Sequence, residues 1–119
     1  MATVYTQVGE EWVVDVVDGT VTPGTHYIGW GTGAGTSGKS DTTLFTEASE
    51  ARVAATKSQP VADKNQWFGT LTADASKTIT NAGVFTAPTG GTLIVKGDFA
   101  GIALAAGDKI EFTITLEQT

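Results

Sequence analysis

The segment KIEFTITLE, residues 109–117, alternates strictly between apolar and polar side chains. The apolar positions are Ile110, Phe112, Ile114 and Leu116, and the positions between them are charged residues or threonines. Successive side chains of a β-strand point to opposite faces, so this period of two predicts a strand with one face in the core and one in water. A chain that contains such a strand must supply the rest of a sheet to cover its apolar face.

Other strand-like segments are separated by turn signals. Gly107-Asp108 precedes the last strand, Gly90-Gly91 resembles a hairpin turn, Gly97 suggests a bulge and Gly101 a break. Threonine, which favours strands, is the commonest residue, and the 15 glycines punctuate turns. We therefore predict a mainly β fold, an antiparallel β-sandwich or jelly roll, as one domain over residues 1–119. The further strand segments are HYIGW, NQWFGTLTA, KTITNAGVFT and TLIVKGDFAGIAL.

The N-terminal segment does not follow this alternation. Its valines come in pairs, Val13-Val14 and Val16-Val17, whereas the acidic residues of GEEWVVDVVDG recur at spacings of four and three. That spacing places the acids along one stripe of a helix. Gly19 follows as a C-terminal cap. The pattern predicts a short amphipathic helix over residues 7–18 that packs on the sheet, although valine is a weak helix former.

Few residues could carry chemistry. The chain has no cysteine and a single histidine, His26, which we expect to be a half-exposed structural residue. The formal net charge of -6 argues against nucleic acid and against anionic lipid as partners. No apolar run is long enough to span a bilayer, and the N-terminus does not resemble a signal peptide. We expect no enzyme activity, no metal and no cofactor.

One motif opposes this expectation. Residues 33–40, GAGTSGKS, match the phosphate-loop pattern G-x-x-x-x-G-K-S/T at every defined position. A working phosphate loop needs a parallel-sheet context and a helix that begins at the Lys-Ser pair. Everything after Gln66 instead indicates antiparallel strands joined by short turns. The sequence therefore favours a glycine-rich loop over residues 31–40, with a nucleotide-hydrolysing enzyme as an unlikely alternative.

Several segments of the sequence resemble segments of small structural proteins of tailed bacteriophages. These segments are YIGWGTG, SDTTLFTE with a basic position at Arg52, WFGTLTADASKTITNAGVFTA, GGTLIVKGDF and IALAAGDKIEFTITLEQ. The resembled proteins include capsid cement or decoration proteins and modules of head or tail fibres. The resemblance implies a virion protein without an active site. The first reading is a homotrimer on the outer capsid surface that binds across major capsid protein subunits, and the alternative is a fibre module that binds a receptor or carbohydrate.

A protein that binds across several capsid subunits needs flexible segments that adapt to its neighbours. We expect the Gly31–Gly38 loop and residues Ala2–Thr6 to be such segments. Trp12 and Trp67 fit core positions, whereas Trp30, at a strand end beside the loop, is the tryptophan with the best chance of a surface role. The candidate interface residues are Ala2, Thr3, Val4, Tyr5, Trp30, Gly33, Gly35 and Lys39.

Overall fold

The computed structural model describes residues 2–117, and it contains one helix and eight strands within that range. The strands form a five-stranded sheet in the order β1-β7-β6-β2-β3 and a three-stranded sheet in the order β4-β5-β8, and every pairing is antiparallel. The elements are β1 (Ala2–Tyr5), α1 (Gln7–Asp18), β2 (Tyr27–Gly31), β3 (Val53–Ala54), β4 (Thr56–Val61), β5 (Lys64–Thr72), β6 (Lys77–Phe85), β7 (Leu93–Leu104) and β8 (Lys109–Glu117).

The two sheets pack face to face over one apolar core. Ile28, Trp30 and Val84 of the larger sheet meet Trp67 and Leu71 of the smaller sheet, and each is at most 4% exposed. The prediction of a mainly β antiparallel sandwich with a short N-terminal helix is confirmed. The alternation of β8 is also confirmed, but β8 is an edge strand, so Ile110, Phe112 and Ile114 are only half-buried.

Helix α1 begins and ends at the signals present in the sequence. Thr6 is the N-cap, and its hydroxyl accepts a hydrogen bond of 3.0 Å from the backbone N–H of Gly9. Gly19 ends the helix in the left-handed conformation with φ of 83°. A Cβ atom at Gly9 would lie 2.5 Å from the carbonyl oxygen of Ile94, so glycine allows the helix to sit directly on β7.

The N-terminal residues do not form a flexible arm. Residues Ala2–Tyr5 pair with β7 at the edge of the larger sheet, and the expectation of an adaptable segment there is wrong. The buried Thr6 hydroxyl fixes the end of this strand, because it donates a hydrogen bond of 2.6 Å to the carbonyl of Leu93.

The strand β7 runs unbroken through Gly101, where the sequence suggested a break. Its pairing with β6 changes register between the pairs Ile79↔Ile102 and Asn81↔Asp98, so on β7 the irregularity lies between Asp98 and Ile102, a span that contains Gly101. Strands β1, β3 and β4 were not predicted, because none of them shows a clear alternation of its own.

Candidate interaction surfaces

Two backbone amides of the glycine-rich loop already donate hydrogen bonds to carboxylates. The amide of Ser37 donates a hydrogen bond of 2.7 Å to Asp98 Oδ1, and the amide of Gly38 donates one of 2.9 Å to Asp41 Oδ2. Residues 39–40 form a turn, and no helix begins at the Lys39-Ser40 pair. The loop therefore lacks the helix N-terminus with which a phosphate loop holds phosphate, and the amides of Ser37 and Gly38 are not available to a phosphate.

The charges around the loop reinforce this conclusion. The pKa of Asp41 is lowered by the backbone hydrogen bond from Gly38 and further by Lys96, and the pKa of Asp98 is lowered by the hydrogen bond from Ser37. Both carboxylates are thus charged at neutral pH and lie where a phosphate would have to bind. The two anions would repel a phosphate group.

The loop is held against the outer face of the larger sheet. The amides of Thr32 and Gly33 donate to the carbonyls of Thr46 and Phe45 at 3.0 and 2.9 Å. A Cβ atom at Gly35 would lie 2.8 Å from the ring of Phe45. The expected flexible Gly31–Gly38 segment is therefore a packed and hydrogen-bonded loop, because the glycines let the backbone approach its neighbours closely.

Lys39 and Tyr5 are brought together, although 34 residues separate them. Lys39 forms an ion pair of 2.6 Å with Glu10, its Nζ donates to the Tyr5 carbonyl at 3.3 Å, and the amide of Gln7 donates to the Lys39 carbonyl at 2.8 Å. The Lys39 side chain is 58% exposed. The end of β1, the start of α1 and the glycine-rich loop thus meet beside the exposed Lys39 side chain.

Trp30 is not on that surface. It is 1% exposed, and its indole N–H donates a hydrogen bond of 3.1 Å to Glu50 Oε1. The candidate interface role for Trp30 is therefore wrong. Its position at the end of a strand suggested exposure, but the segment that contains Glu50 folds over it.

Glu50 is the centre of a buried polar network. Its carboxylate accepts hydrogen bonds from Trp30, from the Asp74 amide at 3.0 Å and from the Lys77 ammonium. Burial by itself would raise the pKa of Glu50, but the hydrogen bonds from Lys77 and the Asp74 amide prevail and lower it to about 2. This network ties the loop after β2 to the start of β6.

His26 is buried and forms part of another structural cluster. The indole N–H of Trp67 donates to His26 Nδ1 at 2.9 Å, so Nε2 carries the proton and donates to the Pro23 carbonyl, also at 2.9 Å. Burial lowers the pKa of His26, and Lys57 lowers it further. The expectation of a half-exposed histidine is wrong, because Trp12 of α1 covers the ring edge-on at a centroid distance of 5.0 Å.

A groove that the sequence did not reveal lies between the edges β1 and β8. It has a volume of about 390 Å³, and its apolar walls come from β6, β7 and β8. Ile102, which lines it, is 41% exposed. The alternation of β8 predicted an apolar face, but only the strand order shows that part of this face is left uncovered.

Neither a metal-ion cluster nor a membrane-spanning helix occurs among the described residues. Within residues 2–117 there is no group of three or more His, Cys, Asp or Glu residues that could hold a metal ion. In the same part of the chain, no helix has both the length and the apolar character needed to cross a membrane.

The family comparison agrees with a structural role. A family model described as podophage GP4 fiber I protein gp80 matches residues 6–117, which is nearly the whole chain. The chain belongs to this family. No curated protein matches it.

Membership in the gp80 family confirms the resemblance to structural proteins of bacteriophage virions, and it favours the fibre type. Of the candidate residues, Thr3, Val4, Tyr5 and Lys39 lie on or beside the β1 edge, and Gly33 and Gly35 lie in the packed loop. Ala2 also belongs to β1, where it pairs with Asp98. The β1 edge and its surroundings are thus the candidate contact surface of this gp80-family chain.

Proposed function

We propose that this chain is a non-enzymatic structural module of a bacteriophage fibre, in which it makes contacts with neighbouring virion proteins. The observation that carries the proposal is the match of the gp80 fibre family to residues 6–117. The fold supports it, because the chain is a β body whose loops are fixed by hydrogen bonds and ion pairs. A rigid body of this kind transmits force and keeps its contact surfaces in place.

The geometry supports a connecting role over a carbohydrate-binding one. A sugar platform built on tryptophans needs indole rings that face solvent, but Trp30 and Trp67 are 1% and 4% exposed. Trp12 is half-buried against His26. The tryptophans therefore stabilise the fold. In this proposal, the sheet edges and the surface around Lys39 contact other proteins.

The capsid-cement reading stays a prediction. It comprises a homotrimer on the outer capsid surface with the major capsid protein as its partner. The family match favours the fibre reading, since its description names a fibre.

Locating the chain on the particle separates the two readings. An epitope inserted at the exposed Gly90-Gly91 turn can be detected with a gold-labelled antibody in electron micrographs of whole particles. Label along the fibres is the expected result. Label spread over the shell, with none on the fibres, would contradict the proposal and support the cement reading.

A second insertion site serves as the control for access. The turn at Gly107 is also exposed, and it lies in a different connection of the sandwich, between β7 and β8. Both tagged chains should label the same structure on the particle. An unlabelled particle with either tag, combined with the chain's absence from purified fibres by mass spectrometry, would also overturn the proposal.

A further inference from the structure

The two sheets of the sandwich have unequal widths. Phe112 of β8 contacts Trp30 of β2 and Phe99 of β7, with ring centroids 6.3 and 6.4 Å apart. Since β6 lies between β2 and β7, this places β8 opposite β6. The inner faces of β7 and β1 therefore extend beyond the smaller sheet. We call this margin of the sandwich, bounded by the edges β1 and β8, the open side.

The exposed floor of the open side is apolar. The groove described above runs along it and is lined by Thr3, Gly97, Phe99, Ile102, Phe112 and Ile114, among others. None of these side chains is charged. In a chain with a formal net charge of -6, a charge-free groove is the region where two copies can meet with the least repulsion.

The edges on the two margins differ in their protection. On the opposite margin, β3 has only two residues, and β4 carries Lys57, Pro60 and a register shift between Ser58 and Val61. Short strands, lysine, proline and bulges are the devices that keep edge strands from pairing with other chains. On the open side, β1 has no charged residue. Strand β8 carries Lys109, Glu111 and Glu117, but it has no proline and keeps a continuous register with β5 over nine residues.

We propose that the open side is a docking surface for the open side of a second copy of this chain. A two-fold rotation about an axis along the strands would set β1 of each copy beside β8 of the other. Each layer would then contain five strands of one copy and three strands of the other, and the excess width of each larger sheet would cover the groove of the other copy.

A second copy satisfies this surface better than a single extended peptide would. A peptide could add one strand to β8 by edge pairing, but β1 would remain an edge strand of its sheet. The two-fold arrangement pairs both edges and covers both grooves through one interface. This inference is independent of where on the virion the chain resides.

The test uses one pair of matched variants. Thr3→Lys places an ammonium group in the groove, and Thr56→Lys makes the same change at an exposed position of β4 on the protected margin. Sedimentation equilibrium over a range of concentrations gives the mass of each chain in solution. The wild type and Thr56→Lys should behave as two-chain particles, and Thr3→Lys should weaken association by at least about tenfold, that is, about 1.4 kcal/mol.

Amide hydrogen exchange on the wild type provides a readout that does not depend on a variant. Outward-facing amides of β1 and β8 should become more protected as concentration rises, whereas those of β4 should not change. A wild type that stays monomeric up to its highest soluble concentration would overturn the proposal. So would a three-chain particle, which would fit the trimer expected from the resemblance, or equal weakening by both variants.

Discussion

The two sheets bury their residues in different patterns. In the smaller sheet, β5 and β8 alternate between more buried and exposed positions along almost their whole length. In the larger sheet, Leu93–Lys96 of β7 are four consecutive buried residues, and β6 ends in five consecutive buried residues. The smaller sheet has one solvent-exposed face, whereas the central strands of the larger sheet are covered on both faces.

The second cover is the long connection between β2 and β3. Leu44 packs on Phe85 and Leu93, and the backbone of Phe45 exchanges hydrogen bonds of 3.0 and 3.1 Å with the Asn81 side chain. Lys96 is 1% exposed beneath this connection, where its Nζ donates to Asp41 Oδ2 and to the Thr43 carbonyl. The comparison teaches that a loop can act as a third layer, and that alternation disappears where it does.

The largest expected effect lies in the doubly covered sheet. Trp30→Ala should lower the free energy of unfolding by about 3–5 kcal/mol, because it empties the core and removes a donor from the buried Glu50. Phe112→Ala, at a half-buried position of the smaller sheet, should cost less than about 3 kcal/mol. Urea unfolding at neutral pH measures both. Equal losses would show that burial does not distinguish the two sheets.

The Glu50 network should produce a difference in acid stability. The pKa of Glu50 is about 2 in the folded chain against 4.5 for an ordinary glutamate, so the unfolded state binds the proton first as pH falls. The stabilisation is present above pH 4.5 and is lost between pH 4.5 and about 2. By linkage the full shift corresponds to at most about 3 kcal/mol, because solvent screens part of the interaction with Lys77.

The measurement is the pH dependence of thermal unfolding in Glu50→Gln. This variant should be less stable at neutral pH and should lose less further stability across the acid window than the wild type does. Glu111→Gln, at an exposed position of β8, is the matched control and should follow the wild-type curve. Parallel curves for the wild type and Glu50→Gln would show that the network does not link folding to this carboxylate.

Removal of the loop's attachment to β6 should have a smaller effect. Asn81→Ala breaks both hydrogen bonds to Phe45 and should cost about 2 kcal/mol, because it leaves backbone groups of the covering loop without partners. The same change at the exposed Asn65 of β5 should stay within about 0.5 kcal/mol. Amide exchange within residues 41–48 should also rise in Asn81→Ala alone. If exchange there is unchanged, the loop is held by other contacts.

The smallest effect is expected at the glycine-rich loop. Lys39→Ala removes an exposed ion pair with Glu10 and should change the free energy of unfolding by less than about 1 kcal/mol. Titration calorimetry of the wild type with ATP or GTP and Mg²⁺ should show no heat of binding. Micromolar nucleotide binding that is lost in Lys39→Ala would revive the phosphate-loop reading.

Local signals in the sequence determined a definite part of this structure. The helix spans Gln7–Asp18, the predicted residues, because valine pairs, an acidic stripe and the Gly19 cap act within a few residues of one another. The alternation of β8 and the core position of Trp67 were likewise predictable, since the smaller sheet has one wet face. The antiparallel strands that follow the glycine-rich loop were also predictable, from the alternation and the turn signals after Gln66.

Tertiary structure alone decided the features that depend on distant segments. Trp30 and His26 are buried because Glu50 and Trp12 fold over them. The loop at residues 31–38 is fixed by Phe45 and by Asp98, which lies 61 residues from Ser37 in the sequence. Residues Ala2–Tyr5 form the edge strand β1 because they pair with β7. The paired residues Val4 and Lys96 are 92 positions apart in the sequence. A periodic pattern records only which face of a strand is apolar. What covers that face, and which edge stays open, depends on contacts between residues that no local pattern connects.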